Sequence, residues 1–576
     1  MKLIDALKIS QQPAGSTPFS ALLACGFTPL HLRTYLHAHL QILLKDRKVE
    51  VAIGNYGDLL GTLSSPEVSN SHAAAIVIEW ADLDARLGLR QLGGWAPSVA
   101  ADVLKTASSR LQTIRARIEA IAKQMPVAVS TPTLPLVPIS FTPTWQTGQI
   151  ESRLRQEVFD FAAAVGDIPN VRLLRQQRLD LLSPLDSRFD VKSELLTGFS
   201  YTAQHADVMG ELLARCLVPR VPMKGLISDL DDTLWAGILG EVGAEAVCWD
   251  LSSHAQLHGV YQQLLASLAE EGVLIAVASK NAPDIVETAF ARKDILLSRT
   301  RCFPMEVSWG RKSEAVSRIL RAWNISEDSV VFVDDSEMEL AEVKASHPGI
   351  RCLRFPKDDY KAAWEFFHTL RDFFGKDRVS DEDSLRLASL RSAQERSSAA
   401  ETAGTDPDEF LRQSRAVISV SFAKSPADPR ALELINKTNQ FNLNGRRYTE
   451  VEWQRFLEDP DSFLILVSYT DKYGPLGKIA VIAGKKQDCR LCVCTWVMSC
   501  RAFARRIEHR CLEVLFDRFG AEEISFNFVG TPRNGPTQDY FAEVNGTRPE
   551  GETTVTREQF KKTRPGLYHE LEISPE

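Results

Sequence analysis

The stretch GLISDLDDTLWAG, residues 225–237, places three carboxylates directly after a short apolar run. The run GLIS is typical of a buried β-strand, so Asp229 and Asp231 fall where that strand ends. Together with Asp232, these residues could form either an acidic turn or a catalytic centre. The ends of the other apolar runs in the chain decide between the two interpretations.

Polar residues also stand at the ends of the apolar runs that follow. GVLIAVASKN ends in Ser279, Lys280 and Asn281, VSWGRKSEAV contributes Lys312, and DSVVFVDDSEMEL contains Asp334 and Asp335. Ligands of α/β folds bind at the carboxyl ends of parallel strands, so we expect these side chains to converge at one edge of a sheet. The series favours a catalytic centre.

This order of motifs resembles the haloacid dehalogenase superfamily of phosphotransferases over about residues 224–376. The resemblance implies that Asp229 attacks phosphorus and carries an aspartyl phosphate, while Asp231 acts as general acid and then as general base. It implies that Lys312 neutralises the nucleophile and the phosphoryl oxygens. The expected phosphate-binding residues are Thr233, Ser279, Lys280 and Asn281.

The same resemblance implies a Mg²⁺ cofactor. Its expected ligands are Asp229, the backbone carbonyl of Asp231 and Asp334, with Asp335 supporting the metal site. Only 47 residues separate Asp231 from Ser279, which leaves no room for a large cap domain. We therefore expect an open active site.

Composition limits the classes of partner. With 44% hydrophobic and 25% charged residues in 576, the chain is typical of a globular protein of several domains. A net charge of −8 argues against nucleic acid as a partner. The sequence shows no apolar run of about 18 residues and no signal peptide, which predicts a cytoplasmic protein with no membrane partner. Ten spread cysteines favour reduced thiols.

Nearly the whole chain resembles the FkbH-like group of the superfamily. The similarity rests on DLDDTLWAGILGE, ASKN, SWGRKSE, VFVDDSEMEL and LINKTNQFNLNGRRYT (434–449). It implies a multidomain α/β fold with an SGNH-like α/β domain, a Rossmann-like haloacid dehalogenase domain with a minimal cap, and a GNAT-like α+β domain. The predicted divisions are 1–220, 221–377, a helical connector at 378–413, and 414–576.

The FkbH-like resemblance also implies an activity. Such a protein dephosphorylates a three-carbon acyl phosphate, 1,3-bisphosphoglycerate, and loads the glyceryl group on the phosphopantetheine arm of an acyl carrier protein for polyketide-type biosynthesis. One alternative is a stand-alone phosphatase of a sugar or polyol phosphate in surface-polysaccharide metabolism. Another is a non-enzymatic adaptor for a carrier protein.

Two features depart from the group. Members that hold the glyceryl group as an enzyme thioester commonly have Cys before Ser-Lys-Asn, where this chain has Ala278. Cys248 and Cys302 are the nearest other thiols in sequence and could serve instead, although a small buried side chain is the favoured interpretation of both. In the first domain, IGNYGD (53–58) lacks the SGNH serine and no Asp stands three residues before His205, so we expect a non-hydrolytic domain with Asn55 at most a remnant.

The last domain carries weaker signals. Where GNAT proteins bind the CoA pyrophosphate, this chain has Arg501, Ala504 and Arg506, so acetyl-CoA binding is not expected. CRLCVC (489–494) could bind a metal but is more typical of a buried strand. Several polar residues could contact a carrier protein, a phosphate or a polyol, or could serve local turns. They are Asn436, Asn439, Gln440, Asn442, Arg446, Arg447, Asn534 and Tyr540.

Overall fold

The computed structural model describes residues 1–11, 15–377, 379, 387, 390–391, 407–472, 474–487, 490–499, 502–503 and 505–574. The chain divides into two compact units, one of Met1–Arg220 with Thr449–Val451 and one of Val221–Tyr448 with Glu452–Glu576. Most of the predicted connector, 378–413, lies outside the described residues. Within the described residues, no helix has the length and apolar character needed to cross a bilayer.

The first unit is built on a parallel five-stranded sheet of order β2-β1-β3-β4-β5. Its strands are β1 (Thr17–Ala24), β2 (Arg47–Ile53), β3 (Ala73–Val77), β4 (Val127–Ser130) and β5 (Val171–Leu173). Every residue of β3 and β4 is buried, as expected for central strands covered on both faces. Successive residues such as Leu22 and Leu23 accordingly belong to different core clusters.

Helices cover both faces of this sheet. They are α1 (Leu3–Gln11), α2 (Leu30–Leu43), α3 (Leu59–Thr62), α4 (Pro66–Ser69), α5 (Trp80–Leu83), α6 (Ala100–Ala122), α7 (Gln149–Gly166), α8 (Gln176–Leu182), α9 (Val191–Thr197) and α10 (Ala203–Leu217), with short 3₁₀ turns at Ala85–Leu87, Pro97–Val99 and Leu185–Ser187. In α6, Val103, Ala107, Leu111 and Ile114 are buried at spacings of three and four, which gives the helix one apolar face.

A buried polar network joins α10 to the strand ends of the first unit. Thr133 Oγ1 donates a hydrogen bond of 2.5 Å to Glu79, and it also lies 3.0 Å from His205 Nε2. Because that hydroxyl proton is already donated, the Nε2–H of His205 must donate to Thr133, and Nδ1 accepts from Ser183 Oγ at 2.9 Å. Burial lowers the pKa of His205 to about 3. His205 is therefore a neutral structural residue of the core.

In the unfolded chain His205 has a pKa of about 6.5, so it binds a proton at pH values where the folded His205 stays neutral. The contribution of this residue to the free energy of unfolding therefore falls as pH drops below about 6.5. We expect His205→Asn to have a lower free energy of unfolding than the wild type at pH 7.5. This difference should be about 2 kcal/mol smaller at pH 5. Urea unfolding at both pH values measures this, with the exposed His254→Asn as control. A deficit independent of pH would contradict the assignment.

The second unit begins with another parallel sheet, of order β10-β9-β6-β7-β8. The strands are β6 (Gly225–Ser228), β7 (Leu274–Ser279), β8 (Cys302–Val307), β9 (Val330–Asp334) and β10 (Arg351–Arg354). Gly225 at the start of β6 is required, because a Cβ there would lie 2.4 Å from the Trp323 ring. Its helices are α11 (Leu239–Val242), α12 (Gln256–Glu270), α13 (Pro283–Phe290), α14 (Lys312–Trp323), α15 (Glu337–Ser346) and α16 (Tyr360–Phe374), with 3₁₀ turns at Arg299–Arg301 and Glu327–Ser329.

A mixed sheet completes the second unit, in the order β17-β16-β15-β14-β13-β11-β18, with β12 paired to β15. Its strands are β11 (Val417–Ser421), β12 (Phe441–Asn442), β13 (Ser462–Asp471), β14 (Gly474–Gln487), β15 (Arg490–Met498), β16 (Glu523–Phe526), β17 (Thr553–Thr556) and β18 (Glu570–Ile573). The helices are α17 (Pro407–Gln413), α18 (Pro429–Lys437), α19 (Glu450–Glu458), α20 (Ile507–Phe519), α21 (Gly535–Asn545) and α22 (Arg557–Thr563). Cys492 and Cys494 lie on β15, while Cys489 is outside the described residues. The predicted multidomain α/β class is confirmed.

Candidate active site

The carboxyl ends of three neighbouring strands, β9, β6 and β7, form the candidate site. Asp229 directly follows β6, Ser279 ends β7, and Asp334 ends β9. Since β6 pairs with both β7 and β9 in a parallel register, these three side chains are brought to the same edge of the sheet. The α/β topology therefore places together residues that are 50 to 105 positions apart in the chain.

Lys312, the first residue of α14, connects two of these carboxylates. Its Nζ lies 2.9 Å from Asp229 Oδ2 and 2.5 Å from Asp334 Oδ2. All three side chains are buried. Asp334 Oδ1 also accepts a hydrogen bond of 2.9 Å from the backbone N–H of Ser336. One lysine thus holds the ends of β6 and β9 together.

The charges in this cluster are not balanced. Burial raises the pKa of both Asp229 and Asp334, and the Lys312 ammonium opposes the increase. One cation faces two carboxylates, and Asp229 Oδ1 is buried without a hydrogen-bond partner among the described residues. A buried acceptor left in this state is costly unless a further group satisfies it. The site is therefore suited to bind an additional cation or electrophile at Asp229.

A hard divalent cation fits this arrangement. Carboxylate oxygens of Asp229, Asp334 and Asp335 lie within 4.8 Å of one another. Such oxygens are the ligands that Mg²⁺ and similar ions prefer in proteins. Asp335 also forms an ion pair of 2.8 Å with Lys357, so it is held at the rim of the cluster. The donor set is suited to a metal supported by Asp229 and Asp334.

Asp231 is held in a different way, by uncharged donors. The Trp235 indole Nε1 and the Leu239 backbone N–H donate to its Oδ1 at 3.0 and 3.2 Å. Asn281 Nδ2 donates to its Oδ2 at 3.0 Å and also lies 3.2 Å from Ser279 Oγ. Three hydrogen bonds therefore orient the carboxylate of Asp231, and none of them comes from a lysine.

Lys357 fixes the turn that carries these acids. Its Nζ lies 2.6 Å from Asp232 Oδ2, and Asp232 Oδ1 accepts from the Gly237 backbone N–H at 2.9 Å. Asp232 adopts a left-handed backbone with φ 51°, a conformation that Asp tolerates better than most residues. Asp232 therefore has a structural role in shaping the turn.

Helix α12 supports the same turn from inside the unit. His258 Nδ1 lies 2.9 Å from the backbone oxygen of Thr233, and Gln262 Nε2 donates to the Leu234 oxygen at 3.0 Å. His258 and Gln262 are four residues apart, so they share one face of α12. These contacts satisfy carbonyls that the sharp turn leaves free.

The predicted phosphate-binding residues occupy three kinds of position. Thr233 Oγ1 is buried without a hydrogen-bond partner among the described residues, and Ser279 lies beside Asn281 at the site. Lys280 is partly exposed and forms an ion pair of 2.6 Å with Glu339. Phosphate binding by these residues stays a prediction.

Four residues of the site were missed from the sequence: Trp235, His258, Gln262 and Lys357. Lys357 follows the end of β10, so the rule that located the acids could have included it. Trp235 is completely buried and has the appearance of a core residue in the sequence, although its N–H serves Asp231. No sequence signal separated His258 and Gln262 from other helical residues.

The structure shows the surroundings of the positions considered for an enzyme thioester. Ala278 is completely buried and packs in the core cluster that contains Leu274 and Ala276, on the face of β7 opposite to Ser279. Cys302 is also completely buried, and burial raises the pKa of its thiol to about 12. Cys248 is partly exposed and lies next to Ala236 through a backbone bridge.

Three candidate amides of the last domain are used in local structure. Asn436 exchanges hydrogen bonds of 2.8 and 3.0 Å with the backbone of Tyr448. Asn442 accepts from the Gly445 backbone N–H at 2.7 Å. Buried Asn534 donates to the backbone oxygen of Asn442 at 2.9 Å. These contacts explain the residue types without a ligand.

The remaining candidates of this domain vary in exposure. Arg447 bonds Asn439 Oδ1 at 2.5 Å, and the Arg446 guanidinium lies 4.5 Å from the Tyr448 ring centroid. Tyr540 is buried, and burial raises its pKa. Gln440 Oε1 is buried without a hydrogen-bond partner among the described residues. Arg501 and Ala504 lie outside the described residues, and Arg506 bonds the Gly566 oxygen at 2.9 Å.

The structure is similar to the N-terminal part of the protein BF1531 from Bacteroides fragilis, which contains a phosphatase domain and is complexed with Mg. The TM-score is 0.52 at 17% identity, over 66% of this chain and 100% of that chain. The two proteins share a fold. A second match, nourseothricin acetyltransferase, has a TM-score of 0.15 at 14% identity over 24% of this chain and 95% of that chain. No family model and no curated protein matches the sequence.

The Lys312 arrangement makes a prediction about stability. Lys312→Met leaves two buried carboxylates without their shared cation, and we expect a loss of about 3–5 kcal/mol in the free energy of unfolding, measured in EDTA. Lys312→Met combined with Asp334→Asn should recover part of this loss, because one of the two charges is then removed. The exposed Lys361→Met is the control. A double variant less stable than the single variant would contradict charge imbalance as the cause.

Proposed function

We propose that this protein is a cytoplasmic, Mg²⁺-dependent phosphatase of the FkbH-like type that acts on 1,3-bisphosphoglycerate and loads the glyceryl group on an acyl carrier protein. The observation that carries the proposal is the buried, unpartnered Oδ1 of Asp229 beside Lys312 and Asp334. The likeness in fold to a phosphatase-domain protein complexed with Mg supports it. The three-domain division at 220 and at 378–413 belongs to the same proposal.

Asp229 is suited to act as the nucleophile. Lys312 holds its Oδ2, while Oδ1 has no hydrogen-bond partner among the described residues and is the oxygen that we assign to the attack on phosphorus. The attack forms an aspartyl phosphate and releases the alcohol. Lys312 remains beside the pair and offsets negative charge as the phosphoryl group arrives.

Asp231 is suited to move the proton. Held by Trp235, Leu239 and Asn281, its carboxyl group keeps one orientation while it protonates the departing alkoxide. The resulting carboxylate then takes a proton from the water that hydrolyses the aspartyl phosphate. The bond between Asp229 and phosphorus breaks and inorganic phosphate leaves, so the Asp229 carboxylate and the protonated Asp231 are both restored.

The residues present also fit the proposed Mg²⁺. Asp229 and Asp334, with Asp335 at the rim, would hold the ion together with the backbone carbonyl of Asp231. When bound, the ion supplies positive charge that reduces repulsion between a carboxylate and a phosphate dianion. In this proposal Ser279 and Asn281, whose Oγ and Nδ2 lie 3.2 Å apart, donate hydrogen bonds to phosphoryl oxygens.

The substrate's chemistry divides the reaction into two parts. Attack by Asp229 at the acyl phosphate would release an unactivated carboxylate, which could not acylate a thiol. We therefore assign Asp229 to the ester phosphate at C3. The carrier thiolate then attacks the C1 carbonyl, a C–S bond forms, the C–O bond to phosphate breaks, and inorganic phosphate leaves.

The acceptor in this proposal is the carrier's phosphopantetheine thiol itself. Ala278 offers no thiol and faces the core, and Cys302 is buried with a raised pKa. A direct transfer needs no acyl-enzyme. The absence of a thiol at Ala278 also favours the alternative, a stand-alone phosphatase of a sugar or polyol phosphate, as the second candidate.

Replacing the nucleophile tests the phosphatase half. We expect Asp229→Asn to reduce phosphate release from 1,3-bisphosphoglycerate about 10²–10⁴-fold or more in Mg²⁺-containing buffer. Asp284→Asn, an exposed residue at the start of α13, is the matched control and should retain activity. Near-normal turnover by Asp229→Asn, or full wild-type turnover in EDTA, would refute the assignment.

Intact-mass spectrometry tests the transfer half. After incubation with 1,3-bisphosphoglycerate, we expect a phosphopantetheinylated carrier protein to gain one glyceryl group and the enzyme to gain none. A glyceryl thioester mapped to Cys248 or Cys302 would refute direct transfer. Phosphate release with an unloaded carrier would favour the stand-alone phosphatase. Absence of both phosphate release and carrier loading would favour the non-enzymatic adaptor.

A further inference from the structure

Lys357 lies three residues after the end of β10, which is the outermost strand of its sheet and pairs with β9. The Phe355 backbone N–H donates to the Asp334 oxygen at 2.9 Å, and the Lys357 backbone N–H donates to the Phe355 oxygen at 3.0 Å. Phe355 is completely buried, so its side chain anchors this segment in the core. The backbone of Lys357 is therefore held at the same edge of the sheet as the candidate metal ligands.

The ammonium group of Lys357 joins acids that follow two other strands. Its Nζ lies 2.8 Å from Asp335 Oδ2, after β9, and 2.6 Å from Asp232 Oδ2, in the turn after β6. The side chains of Lys357, Asp232 and Asp335 are 31%, 30% and 20% exposed, so water screens these ion pairs only in part. One ammonium is thus shared between a carboxylate of the turn and a carboxylate of the metal cluster.

The two carboxylates differ in their other contacts. Asp232 Oδ1 accepts from the Gly237 backbone N–H at 2.9 Å, so Asp232 has a second donor that is independent of Lys357. Asp335 belongs instead to the group of carboxylates, with Asp229 and Asp334, whose oxygens lie within 4.8 Å of one another. Among the described residues, Lys357 is the only hydrogen-bond or ion-pair partner of the Asp335 carboxylate.

A bound cation and Lys357 compete for Asp335. A carboxylate paired with an ammonium at 2.8 Å attracts a second cation less strongly, and the ammonium itself repels that cation. The Asp335 carboxylate can therefore turn to a metal ion only by weakening its pair with Lys357. Asp232 acts in the opposite sense, because it attracts the same ammonium away from Asp335.

We propose that Lys357 is a positioning residue that sets the affinity of the active site for Mg²⁺, by pairing with Asp335 and withholding that carboxylate from the ion. The inference rests on the Mg²⁺ site of the proposed function. It does not depend on the identity of the phosphorylated substrate or on the carrier protein. Lys357 acts through Asp335 and is given no contact with the reacting atoms.

Isothermal titration of the metal-free full chain with Mg²⁺ at pH 7.5 tests this. We expect Lys357→Met to bind Mg²⁺ about three- to tenfold more tightly than the wild type, because Asp335 loses its competing cation. Lys357→Arg, which keeps the positive charge, should bind no more tightly than the wild type. The exposed Lys361→Met on α16 removes the same charge without an Asp335 contact, and as the matched control it should bind like the wild type.

A double-mutant cycle separates pairing with Asp335 from a general effect of charge. In the Asp335→Asn background the competing carboxylate is absent, so adding Lys357→Met should change the Mg²⁺ affinity by less than about twofold. Asp232→Asn should leave Mg²⁺ binding unchanged or weaken it, since Lys357 then pairs with Asp335 alone. A purely structural role of Lys357 in the turn would instead weaken Mg²⁺ binding in both Lys357→Met and Asp232→Asn.

The outcomes separate this inference from the proposed function. It is overturned if Lys357→Met binds Mg²⁺ no more tightly than the wild type, or if the gain is the same with and without the Asp335 carboxylate. A wild type that binds no Mg²⁺ would overturn it together with the metal site. The expected Mg²⁺ affinities in a protein without phosphatase activity would refute the phosphatase proposal alone. Circular dichroism checks that each variant is folded, and Lys357→Gln replaces Lys357→Met if the latter is not.

Discussion

The ammonium group of Lys312 lies between Asp229 and Asp334, and the candidate active site is organised around that one cation. Two buried carboxylates at adjacent strand ends would repel each other strongly in a medium of low polarity. Lys312 reduces this repulsion but cannot remove it, because one positive charge faces two negative ones. The remaining imbalance suits Asp229 to a metal ion and is consistent with the nucleophilic role proposed for it.

Asp229 and Asp231 are two residues apart yet have contrasting surroundings. Asp229 is buried against charged partners, whereas Asp231 is held by an indole, a backbone amide and a side-chain amide. Such a difference in environment is how one fold assigns separate chemical roles to similar carboxyl groups. The contrast supports a nucleophile at Asp229 and an acid–base group at Asp231.

The first unit uses its buried polar groups differently. Glu79, Thr133 and His205 form a network in which each donor has its acceptor, and this stabilises the packing of α10 against the sheet. A satisfied network of this kind needs no ligand.

The sequence alone located the strand ends that bear Asp229, Ser279 and Asp334, because apolar runs and the polar residues that end them are local patterns. It also predicted the multidomain α/β class. It missed Lys357 and His258, and it could not show that Thr133 donates to Glu79, since those contacts join residues 125, 25 and 54 positions apart.

The orientation of Ala278 shows the same limit. Its place in the motif predicted a position beside the reacting groups, whereas the alternation of side chains along β7 turns it toward the core and turns Ser279 toward the site. What the tertiary structure alone decided was which polar atoms are paired and which remain free. Pairing depends on distance and burial after the chain has folded, and neither quantity is written in local sequence.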